Sequence, residues 1–155
     1  MTDDKMALSM FFYENSYYAP ASGVARGAYV LGDAPGGKPE VILSATGSEV
    51  SLAVQAHEKL LAEGIRWRVV SMPSWDIFDH QTQEYRDGVL PPNVRARVAV
   101  EQASTFGWET YVGQEGHIIG MKTFGASAPL KELQRKFGFS PDDVVTAAKE
   151  QLGRR

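Results

Sequence analysis

The chain has no cysteine. Disulfides, thiolate metal sites and a cysteine nucleophile are therefore excluded, and the absence fits a reducing compartment. No run approaches the roughly 20 consecutive apolar residues of a membrane-spanning helix. No basic block stands out either, and 16 Lys and Arg against 19 Asp and Glu leave a net charge of -3. That balance argues against a nucleic-acid or anionic-membrane partner. The amino terminus, Met1-Thr-Asp-Asp-Lys5, is acidic where a secretory signal would be basic, so a cytoplasmic protein is expected. A Gly-x-Ser-x-Gly elbow is missing, which leaves no sign of a serine nucleophile. Histidine is scarce: His57, His80 and His117 are too far apart for the i, i+4 pairing of a zinc-binding helix.

What is present belongs to an ordinary globular domain, 43% apolar and 23% charged. At 155 residues it fits one domain, large enough to bury about 70% of the surface its unfolded chain exposes. The most informative stretch runs from Glu40 to Gly64. Val41-Ile-Leu-Ser44 reads as a buried strand that turns at Thr46-Gly-Ser48 into a helix. From Thr46 the apolar period changes from two to 3.6, and Val50, Ala53, Val54, His57, Leu60 and Leu61 share one helical face. Thr46 with Glu49 fits a capping box, and Gly64 is a natural stop.

Ahead of this unit, Ala28-Tyr-Val-Leu31 reads as another strand. The turn-rich Gly32–Pro39 between the two suits a hairpin. After it, Ile65–Ser71 reads as a strand, and a strand-helix-strand unit implies a parallel pair with a right-handed crossover. Pro73–Asp79 is a short helix or turn, and Gln81–Val89 a helix stopped by Pro91-Pro92. Arg97–Glu101 and Ile118-Ile119 are further strands. Pro129–Phe137 forms a helix with Leu130, Leu133 and Phe137 on one face. A last helix opens at Ser140-Pro-Asp-Asp143 and buries Val144, Val145, Ala148 and Leu152. The sum is a three-layer α/β domain around a five-stranded, mixed but mostly parallel sheet. Residues 1–23 stand apart. They hold five aromatics among the eight residues Phe11–Tyr18 and close on the loop signal Ala19-Pro-Ala-Ser-Gly23. An unassigned arm, docked on the domain or on a partner subunit, is expected over 1–23, with the domain over 24–155.

Several positions carry candidate chemistry. Gly32-x4-Gly37-Lys38 imitates a phosphate-binding loop, but Pro39 stands where Ser or Thr must follow and a strand comes where a helix is needed. Thr46, Gly47 and Ser48, at a strand's carboxyl end and a helix's amino end, form a better anion site, where Glu49 would compete. His57 on the apolar stripe reads as a core residue, and His80 beside Asp79 as a solvated one. Glu101, at a strand end, is a candidate acid-base group, or equally a cap or an arginine's partner. Phe106, Trp108 and Tyr111 form a cluster suited to a core or a subunit interface.

Five stretches together resemble the carboxy-terminal domain of bacterial transketolases. They are Val24-Ala-Arg-Gly-Ala-Tyr-Val-Leu31, Ala45-Thr-Gly-Ser-Glu-Val-Ser-Leu-Ala53, Val69-Val-Ser-Met-Pro-Ser-Trp-Asp-Ile-Phe-Asp79 and Glu101-Gln-Ala-Ser-Thr-Phe-Gly-Trp108. The fifth runs from Gly120-Met-Lys-Thr-Phe-Gly-Ala-Ser-Ala-Pro129 through Phe137-Gly-Phe139. The resemblance implies a small mixed-sheet domain that helps hold a dimer together. It also implies a parent enzyme that moves ketol units between sugar phosphates with thiamin diphosphate and a divalent metal. In that family the cofactor and its catalytic residues belong to the preceding domains, so no catalytic, cofactor-binding or metal residue is carried onto this chain. Three functions follow as expectations. The chain is a non-catalytic assembly or dimerisation domain; or a small subunit that restores transketolase activity to partner chains; or a ligand sensor using Thr46, Gly47, Ser48 and Glu101.

Overall fold

The computed structural model describes residues 18–153. Its sheet has five strands: β1 (Tyr29–Asp33), β2 (Val41–Ala45), β3 (Trp67–Ser71), β4 (Ala96–Ser104) and β5 (His117–Met121), in the order β1-β3-β2-β4-β5. β2 is central, with every residue buried and a parallel partner on each side: Val41 faces Trp67 of β3 and Ala96 of β4. β1 runs antiparallel along β3, and β5 closes the other edge parallel to β4. The mixed, mostly parallel sheet is therefore as expected.

The expected hairpin is not. β1 and β2 are separated by β3, so Gly32–Pro39 carries the chain across one strand instead of folding it back. The physical reason is burial. The wholly buried β2 needs a neighbour on both edges and both faces, which parallel crossovers supply and a hairpin at the sheet's rim does not.

Alternation along the strands divides the core. Val41, Leu43, Ala45, Trp67, Val69, Val98 and Val100 point to one face, where α1 (Val50–Ala62) and α6 (Pro141–Gly153) cover them. Ile42, Val70 and Ala99 point to the other, packed with Phe78 of α2 (Trp75–Asp79), Val89 of α3 (Gln83–Val89) and Tyr111 of the short α4 (Glu109–Val112). These are the three layers. A buried charge on the second face is Arg68, cross-strand partner of Asp33. Its guanidinium donates to the Asp33 carboxylate at 2.6 Å and to the carbonyls of Gly88 and Val89 at the end of α3.

Two details of α1 depart from expectation. Thr46 makes no capping bond through its side chain. Gly47, at φ +56°, starts a 3-10 turn over Gly47–Glu49 that delays the helix to Val50. The buried stripe is Leu52, Ala53, Ala56, His57 and Leu60, and Leu61 is half exposed. Gly64, also left-handed, does end the unit. α5 (Leu130–Phe137) buries no residue, and Leu130 on its apolar side is 62% exposed. α6 begins as expected, with the Ser140 hydroxyl accepting the Asp143 amide. The arm expected over 1–23 lies outside the described residues up to Tyr17; Tyr18 to Gly23 are considered below.

Candidate functional site

Chain direction changes at β2. The crossover to β3 leaves on one side and the connection from β3 to β4 passes to the other, so the carboxyl ends of β2 and β4 flank a topological switch point. Ala45 is in register with Val100, which brings Thr46 and Glu101 to adjacent positions there. The structure thus gathers Thr46, Gly47, Ser48 and Glu101 at one end of the sheet.

Their chemistry is largely self-contained. Ser48 donates its hydroxyl to Glu49 Oε1 at 2.9 Å, and Ser51 donates to the Ser48 carbonyl. Glu49 is only 6% exposed, so a carboxylate already occupies the positive end of α1. Gly47 is required by its left-handed φ, since an added Cβ would meet nothing closer than Glu49 Oε2 at 3.5 Å. Glu101 accepts the Ala103 amide on Oε1 (3.0 Å) and the Trp108 indole N–H on Oε2 (3.4 Å). It therefore caps its own loop, at a bulge between Glu101 and Ser104 that lets β4 run on to pair with Met121.

The three aromatics of that loop separate. Trp108 and Tyr111 are buried by the chain itself, beside Trp75. The Tyr111 hydroxyl donates to both oxygens of Asp79 at 3.1 Å. Burial, reinforced by that carboxylate, pushes its pKa up. Phe106 is 86% exposed. Following β5, the next strand over, Phe124 is 99% exposed within a stretch, 122–130, in which every residue faces solvent. Sequence reading missed Phe124 as a site residue, although Thr123-Phe-Gly125 in a turn-rich stretch was its signal.

His57 lies in the core as expected, stacked on Trp67 at 3.8 Å, and burial lowers its pKa to about 4. His80 is solvated, its Nδ1 against the Asp76 carbonyl at 2.7 Å. Arg97 was missed as well. Its guanidinium donates to the carbonyls of Val94, Tyr111, Leu90 and Pro91, so it ties loops together and has little left for an anion in the adjoining cleft with Arg95 and Glu115. An arginine inside an apolar strand was the legible clue for both Arg68 and Arg97. Among the described residues no three His, Cys, Asp or Glu side chains gather to hold a metal ion. They do not fit a metal-cofactor site, and no step of cofactor chemistry is assigned to them.

An open, doubly wound sheet with one antiparallel edge strand and a switch point between β2 and β4 defines a three-layer α/β domain. The model of the transketolase-like C-terminal domain matches residues 27–140, and the chain belongs to that family. It is 53% identical over 132 residues to the transketolase of Geobacillus stearothermophilus, covering 85% of this chain and 20% of that protein. To transketolase 1 of Escherichia coli (strain K12) it is 57% identical over 131 residues, again across 20% of the relative's length. The chain thus spans about a fifth of the relatives it matches. Among solved structures it resembles transketolase from Leishmania mexicana (TM-score 0.79, 43% identity, 88% of this chain and 19% of that one). It also resembles a split-gene transketolase from an inactive beta4 tetramer (TM-score 0.65, 25% identity, 83% of this chain and 43% of that one).

Proposed function

We propose that this chain is the non-catalytic assembly domain of a transketolase. Its place is in a homodimer or against the other transketolase domains, in the cytoplasm, in the pentose phosphate route. The parent reaction is ketol transfer between sugar phosphates, with thiamin diphosphate and a divalent metal held elsewhere. The carrying observation is the carboxyl end of the sheet. Phe106 and Phe124 follow the neighbouring strands β4 and β5 and are 86% and 99% exposed. Phenylalanine belongs among the residues enriched at interface cores, and two exposed after neighbouring strands support a contact surface at that end of the sheet.

The test is sedimentation of the chain with a bacterial transketolase deleted of its matching fifth. A complex with a dissociation constant below roughly 100 µM is expected. Phe106→Asp combined with Phe124→Asp should abolish it with the circular dichroism unchanged. No complex, or one indifferent to both changes, sinks the assembly reading. Calorimetry with thiamin diphosphate and magnesium should give no heat of binding; saturable binding would overturn the non-catalytic part.

The small-subunit reading has one observation in its favour, the likeness to a chain of a split-gene transketolase. This chain covers 43% of that one. Recovery of ketol transfer in the same mixture would select it. The sensor reading at Thr46, Gly47, Ser48 and Glu101 is not favoured, because the carboxylates of Glu49 and Glu101 already have donors from the chain itself.

A further inference from the structure

The matched family span begins at residue 27, yet contacts along the antiparallel edge begin earlier. Tyr18 bridges antiparallel to Gly32 on the outer side of β1, and the Ala19 amide donates to the Leu31 carbonyl at 2.7 Å. The β1–β3 register shifts between Val30 and Gly32, so Leu31 stands outside that pairing while its carbonyl accepts from Ala19. Gly32 is the saddle of the crossing. A Cβ there would lie 3.2 Å from Trp67 on one side and 3.2 Å from Tyr18 on the other. Over it the Tyr18 ring reaches α1, meets His57 edge-on at 5.7 Å, and its hydroxyl hydrogen-bonds His57 Nε2. His57 in turn lies flat on Trp67. Through Nε2, Tyr18 is the hydrogen-bonding side chain of this buried ring.

We infer that the outer edge of β1, backed by His57 and Trp67, is a strand-docking site whose occupant is the chain's own Tyr18–Ala19 segment, and that this strap closes the fold at its antiparallel edge. Main-chain pairing supplies the attachment and the tyrosine supplies the register, the division of labour seen whenever an extended segment joins a sheet edge. An edge left open would present unpaired amides and carbonyls to other chains. The strap is independent of the assembly surface at Phe106 and Phe124, which follows the carboxyl ends of β4 and β5 across the sheet.

Two substitutions in the full chain test it. Tyr18→Phe should move the imidazole 15N resonances of His57 while those of His80 and His117 stay in place, and should lower the melting temperature by roughly 3–6 °C. Ala19→Pro removes the amide donor. It should speed amide exchange in β1 about tenfold or more, with β2 and β4 unchanged. Unmoved His57 resonances, unchanged exchange in β1, or an equal rise in every strand would each overturn the inference.

Discussion

Arg68 and Asp33 allow a prediction in which the direction of an asymmetry matters more than its size. The pair joins neighbouring strands, at 2.6 Å, with side chains 8% and 24% exposed. Asp33→Asn keeps the shape and one amide oxygen as acceptor, but leaves a guanidinium nearly out of water without its counter-charge, on the neutral Gly88 and Val89 carbonyls. Breaking a buried pair that way costs about 3–5 kcal/mol when both groups are fully enclosed. Discounted for the exposed quarter of Asp33, about 2–3 kcal/mol is expected. Arg68→Met removes the charge together with its desolvation, while the Asp33 carboxylate can turn to water and keeps the Ala34 amide. The remaining cost is one lost donor at the end of α3 and imperfect packing, about 1–2 kcal/mol. At about 3 °C per kcal/mol for a chain of this size, the melting temperature falls by roughly 6–9 °C in the first variant and 3–6 °C in the second. Urea unfolding followed by the fluorescence of the buried Trp67 and Trp108 reads the same order, provided the m values agree. The double variant should match Arg68→Met alone within about 0.5 kcal/mol. If Arg68→Met is as costly as Asp33→Asn or costlier, the pair is a packing element and the argument from desolvated charge is wrong.

Further tests address other parts of the fold. His57 has its pKa lowered to about 4 by burial, so between pH 6.5 and 4 the unfolded chain binds the proton more readily than the folded one. Stability from this group is therefore present above pH 6.5 and lost as pH falls, by about 2–3 kcal/mol at pH 4. His57→Phe should flatten that part of the profile in urea titrations, and an unchanged slope would refute the assignment. Gly27, at φ +81°, would drive a Cβ to within 2.4 Å of the Phe78 amide and the Ser74 carbonyl. Gly27→Ala should therefore cost more than about 3 kcal/mol, whereas Gly36→Ala, at a similar φ in open space, should cost about 1 kcal/mol. Ser140→Ala removes the acceptor that caps α6 and should lower stability by about 1 kcal/mol in thermal melts.

The elements were legible where the signal is local. The switch from period two to 3.6 after Ser44, Gly64 as a stop and Ser140-Pro141 as a start all depend on neighbours within a turn. Strand order does not. Nothing in Gly32–Pro39 distinguishes a loop that folds back from one that steps over a strand, because that depends on what else competes for the edge of β2. The capping box failed for a related reason: Gly47 took a left-handed φ and inserted a 3-10 turn, so spacing alone misplaced the helix start. At the sheet's carboxyl end, residue types pointed to Thr46 and Glu101, which the strand register brings to adjacent positions. Their partners were invisible, since Glu101 with the Trp108 indole and Tyr18 with His57 meet only through tertiary packing.

The last helix has a consequence for the order in which the molecule is made. α6 packs against α1, β4, β2 and β5 at once, and its Val144, Val145, Ala147 and Ala148 cover the centre of the sheet's first face. During synthesis from the amino terminus, every strand has left the ribosome before this cover emerges. Until then the part of that face not covered by α1 stays open and apolar, a natural place for a chaperone to bind and for premature termination to yield an aggregating product. A fragment cut to the matched span 27–140 would stop in that same unfinished state.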